Sequence, residues 1–104
     1  MKIFKKISEM IEEELEGAEH YAECALRQKE SNPTLAKTFY DISLEEVKHI
    51  GMLHGEVKKL IEAHRHEKGD PPPAMLAVYE YLHEKHIQKT AKIKMLQAEY
   101  RGIQ

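Results

Sequence analysis

The sequence predicts an all-α chain of three long helices. Two observations carry that expectation. Helix breakers gather at only two places, Ser31-Asn32-Pro33 and Lys68-Gly69-Asp70-Pro71-Pro72-Pro73. Between them the chain is rich in Glu, Leu, Ala, Lys and Ile, which cost little in a helix, and apolar positions recur every three or four residues. No strand alternation, solenoid-period repeat or low-complexity segment interrupts the pattern.

The first helix is predicted over about Ile7 to Glu30, with an apolar stripe of Ile7, Met10, Ile11, Ala18, Tyr21, Ala22 and Ala25. Glu9, Glu12 and Glu13 stand near its start, where the helix dipole favours acidic groups. The second is predicted over about Pro33 to His66, with Asn32 as N-cap and Pro33 at the first helical position. Its stripe reads Leu35, Phe39, Ile42, Leu53, Val57 and Leu60. Gly51 and Gly55, four apart, read as a place of close helix approach or, failing that, as a weak point in the helix. His64, Arg65 and His66 fall at the C-terminal end, where cations are favoured. The triple proline predicts an extended, stiff connection. The third helix is predicted over about 74–101, with a stripe of Met75, Tyr79, Leu82, Ile93, Leu96 and Tyr100. It has no core of its own, so residues 1–104 read as one domain: a hairpin over about 7–66, a Pro-rich linker at 67–73 and a third helix.

A chain of 104 residues buries a modest core, so association is expected. Hydrophobic residues at 41% and charged residues at 33% suit amphipathic helices with solvated outer faces. A net charge of −2 with both signs interspersed argues against a nucleic-acid surface or a membrane patch. Cys24 is the only cysteine and reads as an inert buried thiol in a reducing compartment, since a thiolate zinc site needs more sulfur. No apolar run of signal-peptide length follows Met1-Lys2-Ile3-Phe4-Lys5-Lys6, and a cytoplasmic location is expected. Seven histidines and sixteen glutamates favour hard or borderline metals over soft ones.

The chemistry lies in polar gaps of the stripes. Glu14 interrupts the first, and Glu46 and His49 together interrupt the second between Ile42 and Leu53. A buried unpaired carboxylate costs several kcal/mol, so a cation or a hydrogen-bonded network must compensate it. Residues three apart on a helix project to one side, and Glu-x-x-His is the arrangement of di-iron and di-manganese bundles. Sixteen glutamates and seven histidines in 104 residues give roughly one such match by chance. The chain has two, Glu46-Val47-Lys48-His49 and Glu80-Tyr81-Leu82-His83. Placement on the stripe opposite Glu14 favours the first. Glu80 and His83 lie at the edge of the third helix's stripe, next to Leu76 and Ile87. The usual site takes a Glu from each of two helices and a Glu-x-x-His from each of two more. One chain supplies one of each. A two-fold dimer would supply two Glu14, two Glu46 and two His49. The alternative, a third helix folding back to provide Glu80 and His83, leaves one carboxylate missing.

The segment Glu12-Glu13-Glu14-Leu15-Glu16-Gly17-Ala18-Glu19-His20-Tyr21 resembles the first helix of rubrerythrin-type and encapsulated-ferritin proteins, in which a ligand Glu precedes a Tyr by two helical turns. Glu45-Glu46-Val47-Lys48-His49 resembles their second-helix motif, and the interval between the two also suits those families. The resemblance covers about residues 7–62. It implies a ferritin-like antiparallel helical hairpin whose four-helix bundle is completed by dimerisation. It implies Glu14, Glu46 and His49 as iron ligands, Tyr21 as a hydrogen-bonding residue behind them, and Glu13 and Glu16 as carboxylates near an iron access route. The implied activity is a ferroxidase that oxidises Fe(II) to Fe(III) with oxygen at a di-iron site across the dimer interface, in a homodimer or higher homo-oligomer. His20 departs from the family pattern, which has an aromatic beside the tyrosine. The tail Ala98-Glu99-Tyr100-Arg101-Gly102-Ile103-Gln104 lacks a Gly-Ser-Leu type signal, so packaging inside an encapsulin shell is not expected. No rubredoxin-like cysteine module is present, and the hairpin pattern does not explain the third helix. Two other readings of the residues stay open: a non-catalytic zinc or manganese binding or storage module, and a structural bundle with a buried Glu/His network.

Overall fold

The computed structural model describes residues 2–102. Three α-helices follow one another: α1 at Lys2–Gln28, α2 at Pro33–Lys68 and α3 at Pro73–Arg101. No strand occurs among the described residues. Met1 at the head of the chain and Ile103 and Gln104 of the tail lie outside them. No helix of the described residues is long and apolar enough to cross a membrane.

The helix ends follow the local chemistry. α1 begins earlier than its periodicity predicts because Phe4 finds a partner, meeting the Tyr79 ring edge-on at 5.3 Å between centroids. At the start of α2, the Asn32 side chain accepts from the Leu35 N–H at 3.2 Å, and Pro33 occupies the first turn. At its end, Gly69 adopts φ 81°, which only glycine takes freely, and its N–H donates to the Arg65 carbonyl at 3.1 Å. His64 Nδ1 donates to the Gly69 carbonyl at 3.1 Å, so this histidine fastens the helix end; His66 is exposed. Pro72, at φ −54° and ψ 144°, carries the extended connection into α3.

α1 is the shared wall of the core. It buries Ile7, Ile11, Leu15, Ala18, Ala22 and Ala25. Three of these are alanines, and α2 answers with Ala36 and Ser43, so the two helices approach closely. The rotation of α2 differs from the predicted one. It buries Ala36, Tyr40, Ser43, Ile50, Val57 and Ile61. The predicted row Leu35, Phe39, Ile42 and Leu60 is displaced by one residue, about 100° around the axis, and Leu35 is 38% exposed. At 36 and 43 small residues hold the inward positions, which allows the tighter seam against the alanines of α1. Met10, expected inside α1, is likewise 43% exposed. Gly51 and Gly55 face open space and do not mark a close approach.

α3 lies against the opposite side of α1 and the inner edge of α2. Ile93 is fully buried, and Met75, Tyr79, Leu82, Leu96 and Tyr100 are half-buried on the predicted face. His86 and Gln97 are also buried there, which the apolar stripe did not foresee. A buried hydrogen-bond chain joins all three helices: Gln97 Nε2 donates to Ser43 Oγ at 2.9 Å, and Ser43 Oγ donates to the Ala18 carbonyl at 2.7 Å. At one end, Tyr40 and Tyr100 stack at 4.5 Å and Arg101 donates to the Tyr40 hydroxyl at 2.7 Å. Along the α1–α3 seam, Glu19 Oε1 accepts from Lys89 at 3.3 Å, while its Oε2 lies in ionic contact with Lys89 and Lys92 at 3.2 and 3.4 Å.

Two outcomes follow for stability. Ser43→Ala leaves the Gln97 amide and the second lone pair of the Ala18 carbonyl buried without a partner. It should cost about 1–3 kcal/mol, read as a lower urea midpoint at an unchanged slope. Burial pushes the Glu19 carboxyl pKa up, but Lys89 and Lys92 outweigh it and hold the value below the ordinary range. The folded protein therefore binds the Glu19 proton less tightly than the unfolded chain does. The stabilisation is present above the ordinary carboxylate pKa and is lost as pH falls through the lowered folded value. Glu19→Gln should flatten the acid limb of a stability–pH curve and cost about 1 kcal/mol or less at neutral pH, because both ammonium groups are partly in water.

Candidate functional site

Glu14 of α1 and Glu46 and His49 of α2 come together on one flank of the α1–α2 seam. They share an open depression with Thr38, Asp41, Ile42 and Glu45, and no α3 residue lines it. His49 Nδ1 lies 3.5 Å from Glu14 Oε2. The Glu46 carboxylate lies against the backbone of Gly17, where any Cβ would collide with it. Glycine at this position is what admits the carboxylate. Among the described residues, Glu46 Oε2 finds no hydrogen-bond partner there and is buried. Burial, and after it the Glu14 charge, raises the Glu46 carboxyl pKa, with His49 partly opposing.

The three residues meet as the spacing predicts, but not in the middle of the core. Leu15 fills the gap assigned to Glu14, and the buried face of α1 is continuous past it. Glu46 and His49 flank the buried Ile50 in the same way. The site therefore sits at the margin of the packed seam, with the Glu14 side chain 31% exposed and that of His49 50% exposed.

The other predicted residues scatter. The Tyr21 ring packs on Phe39 at 5.8 Å and His20 at 6.1 Å, and among the described residues its hydroxyl makes no hydrogen bond to Glu14 or Glu46. Glu13 is exposed. Glu16 is on the other side of α1, in a groove with Lys85, Lys89 and Lys92. Glu80 is exposed on α3, whereas His83 turns to His54 at 5.2 Å and stacks on Tyr79 at 5.7 Å. The second Glu-x-x-His thus does not join the first. Cys24 is half-buried, with Arg27 Nη2 3.6 Å from its sulfur.

Sequence reasoning missed Thr38, Asp41 and Glu45 in the depression. A signal existed, since these residues step back from His49 at three- and four-residue intervals on the same flank of α2. Asp41 is held by Lys37 at 2.6 Å, while Glu45 is exposed beside the opening. The arrangement gathers hard oxygen donors and one imidazole at the edge of a helix pair. Within one chain it is incomplete: among the described residues, no group of three or more His, Cys, Asp or Glu side chains is arranged to hold a metal ion. No protein-family model matches the chain, and searches of curated proteins and of solved structures found no match.

Gly17→Ala tests the cradle. The incoming methyl meets the mobile end of a side chain, so the carboxylate should swing outward and the helix should gain up to about 1 kcal/mol in propensity. The expected result is an equal or higher Tm, with the Glu46 carboxyl titrating back in the ordinary range by NMR. A Tm drop of several degrees would show that the backbone yields instead.

Proposed function

We propose that the chain is a ferritin-like ferroxidase that works as a two-fold homodimer, with Glu14, Glu46 and His49 of each copy forming the iron site. The observation that carries this reading is the buried, unpartnered Glu46 oxygen held beside Glu14 and His49 on an open helix flank. A group so placed raises the free energy of the protein until a cation or a donor meets it. The donor set fits iron: carboxylates favour Fe(III) over Fe(II), and an imidazole keeps Fe(II) bound. One copy offers two carboxylates and one histidine, and two copies offer the full set for a metal pair.

The same flank supports the dimer. By helical position, Ile3 and Met10 lie on the Glu14 side of α1, and Leu35 and Met52 lie near the His49 side of α2. All four are large and exposed, Met52 at 63%. α3 covers the other face of α1, so this flank is open to a second copy. A two-fold operation would bury these residues and bring the two acidic depressions together.

Iron is the substrate in this scheme, and each Fe(II) gives one electron to oxygen. The chain's own groups bind and orient. Glu46 is positioned in advance by the Gly17 cradle, and a cation arriving there would favour its charged form against the burial that disfavours it. His49 exchanges its Glu14 contact for the ion, and Glu14 closes from α1. Ferric absorbance after aerobic addition of Fe(II) should grow faster than in buffer, and Glu14→Ala and Glu46→Ala should return it to the buffer rate. Variants as fast as wild type, or a chain that stays strictly monomeric while oxidising iron, would sink the proposal. The 3.5 Å contact between Glu14 and His49 favours a second reading, a structural Glu/His network. That reading expects a Tm indifferent to anaerobic Fe(II), whereas binding to the native state raises it.

A further inference from the structure

Beneath α3, away from the acidic flank, lies a histidine cluster that this function does not use. His54 of α2 packs edge-on against His83 and His86 of α3, at 5.2 and 5.5 Å between ring centroids. His86 is buried, and among the described residues its Nε2 has no hydrogen-bond partner; neither has His83 Nδ1, which is also buried. Glu12 of α1 brings Oε1 to 4.0 Å from His86 Nε2 and is otherwise half in water. Phe4, Ile11, Val57, Tyr79 and Leu82 wall a cavity of about 20 Å³ at this point, room for a single water-sized occupant.

We propose that His54, His83 and His86, with Glu12 as the fourth donor, form a second site that takes one borderline divalent cation of the zinc class. The proposal stands apart from the iron reading and shares no residue with it. Geometry carries it. Two imidazoles on one tetrahedral ion, with metal–nitrogen distances of about 2.0–2.1 Å, hold their ring centroids roughly 5 Å apart. Both measured separations match that spacing. Among the described residues no three His, Cys, Asp or Glu side chains are arranged to hold a metal ion as they stand, so the rings must turn to receive one. Turning an imidazole about its Cβ–Cγ bond re-aims the nitrogens and leaves the centroid nearly in place, so that rotation keeps the two separations that His54 makes with His83 and His86. The apolar walls exclude competing water, and the orphaned nitrogens gain the partner they lack. Burial first, and neighbouring histidines after it, lower the pKa of His54. Burial lowers that of His86 despite Glu12. Both shifts favour the neutral form that a metal requires.

Cobalt(II) is the probe. Added to the full chain carrying Glu46→Ala, which disables the acidic flank, it should give the intense visible absorption of a tetrahedral site at one ion per chain. It should also shift the ring protons of His54, His83 and His86 in the wild-type protein. The double variant His54→Gln/His83→Gln should weaken binding at least tenfold while helicity by circular dichroism is kept. Cobalt that shifts only His49, shifts no histidine, or binds the double variant unchanged overturns the proposal. Should that variant lose its helicity, the ring-proton shifts of the wild type decide alone.

Discussion

The Ser43 hydroxyl against the Ala18 carbonyl sets the rotation on which the rest of the molecule depends. A hydroxyl placed at the centre of a helix seam must find a partner there, or it costs a few kcal/mol. The carbonyl of Ala18 keeps a second lone pair beyond its own helix bond, and only a helix with almost no side chain at that level lets the hydroxyl reach it. Alanines at 18, 22, 25 and 36 provide that access. Once Ser43 points inward, α2 has no freedom left about its axis, and Gln97 of α3 is drawn to the same oxygen. One side chain thus orders three helices.

The rotation decides where the chemistry falls. With Ser43 inside, Glu46 lies a turn further along and to one side, directly over Gly17. His49 then meets Glu14 across the seam. Had the larger row Leu35, Phe39 and Ile42 faced inward, Glu46 and His49 would lie between the helices, shut off from any second chain. The observed rotation leaves them at an open margin. It also turns His54 toward α3, where it meets His83 and His86. Oxygen-rich and nitrogen-rich sets therefore separate to opposite sides of one hairpin.

Much of this was legible in the sequence. The prolines and Asn32 located the helix ends because their effects are local: a missing N–H, a fixed φ, a side chain that caps. The convergence of Glu14, Glu46 and His49 was legible because helical spacing and an antiparallel hairpin suffice to bring them near. The rotation of α2 was not. At 35/36, 39/40, 42/43 and 60/61 the two neighbours are both compatible with burial, and hydrophobicity alone does not favour the one that is buried. At 36 and 43 close packing favoured the smaller, a preference that appears only when the alanines of α1 are set opposite, and Tyr40 and Ile61 follow from the same rotation. His86 and Gln97 were passed over for a related reason, since a polar residue in an apolar stripe looks like an interruption until its partner on another helix is known. His83 was read with Glu80 because they are close in sequence, yet its neighbour in space comes from α2.

The acidic flank carries an imbalance that bears on what it is for. Glu14, Glu45 and Glu46 share one depression with Asp41, no lysine or arginine among the described residues lines it, and the ammonium of Lys37 is spent on Asp41 beside it. His49 offsets part of one charge when protonated and none when neutral. Like charges crowded at a helix margin repel, and part of that repulsion is stored as the raised proton affinity of Glu46. A chain selected only to fold would place a lysine or a neutral side chain at 46 and a larger residue at 17, filling the seam and removing the strain. The retained combination, a glycine that admits a carboxylate and a carboxylate left without a partner, makes physical sense when something positive completes it. That requirement falls on a flank of the hairpin that α3 leaves uncovered, where the depression is open to solvent.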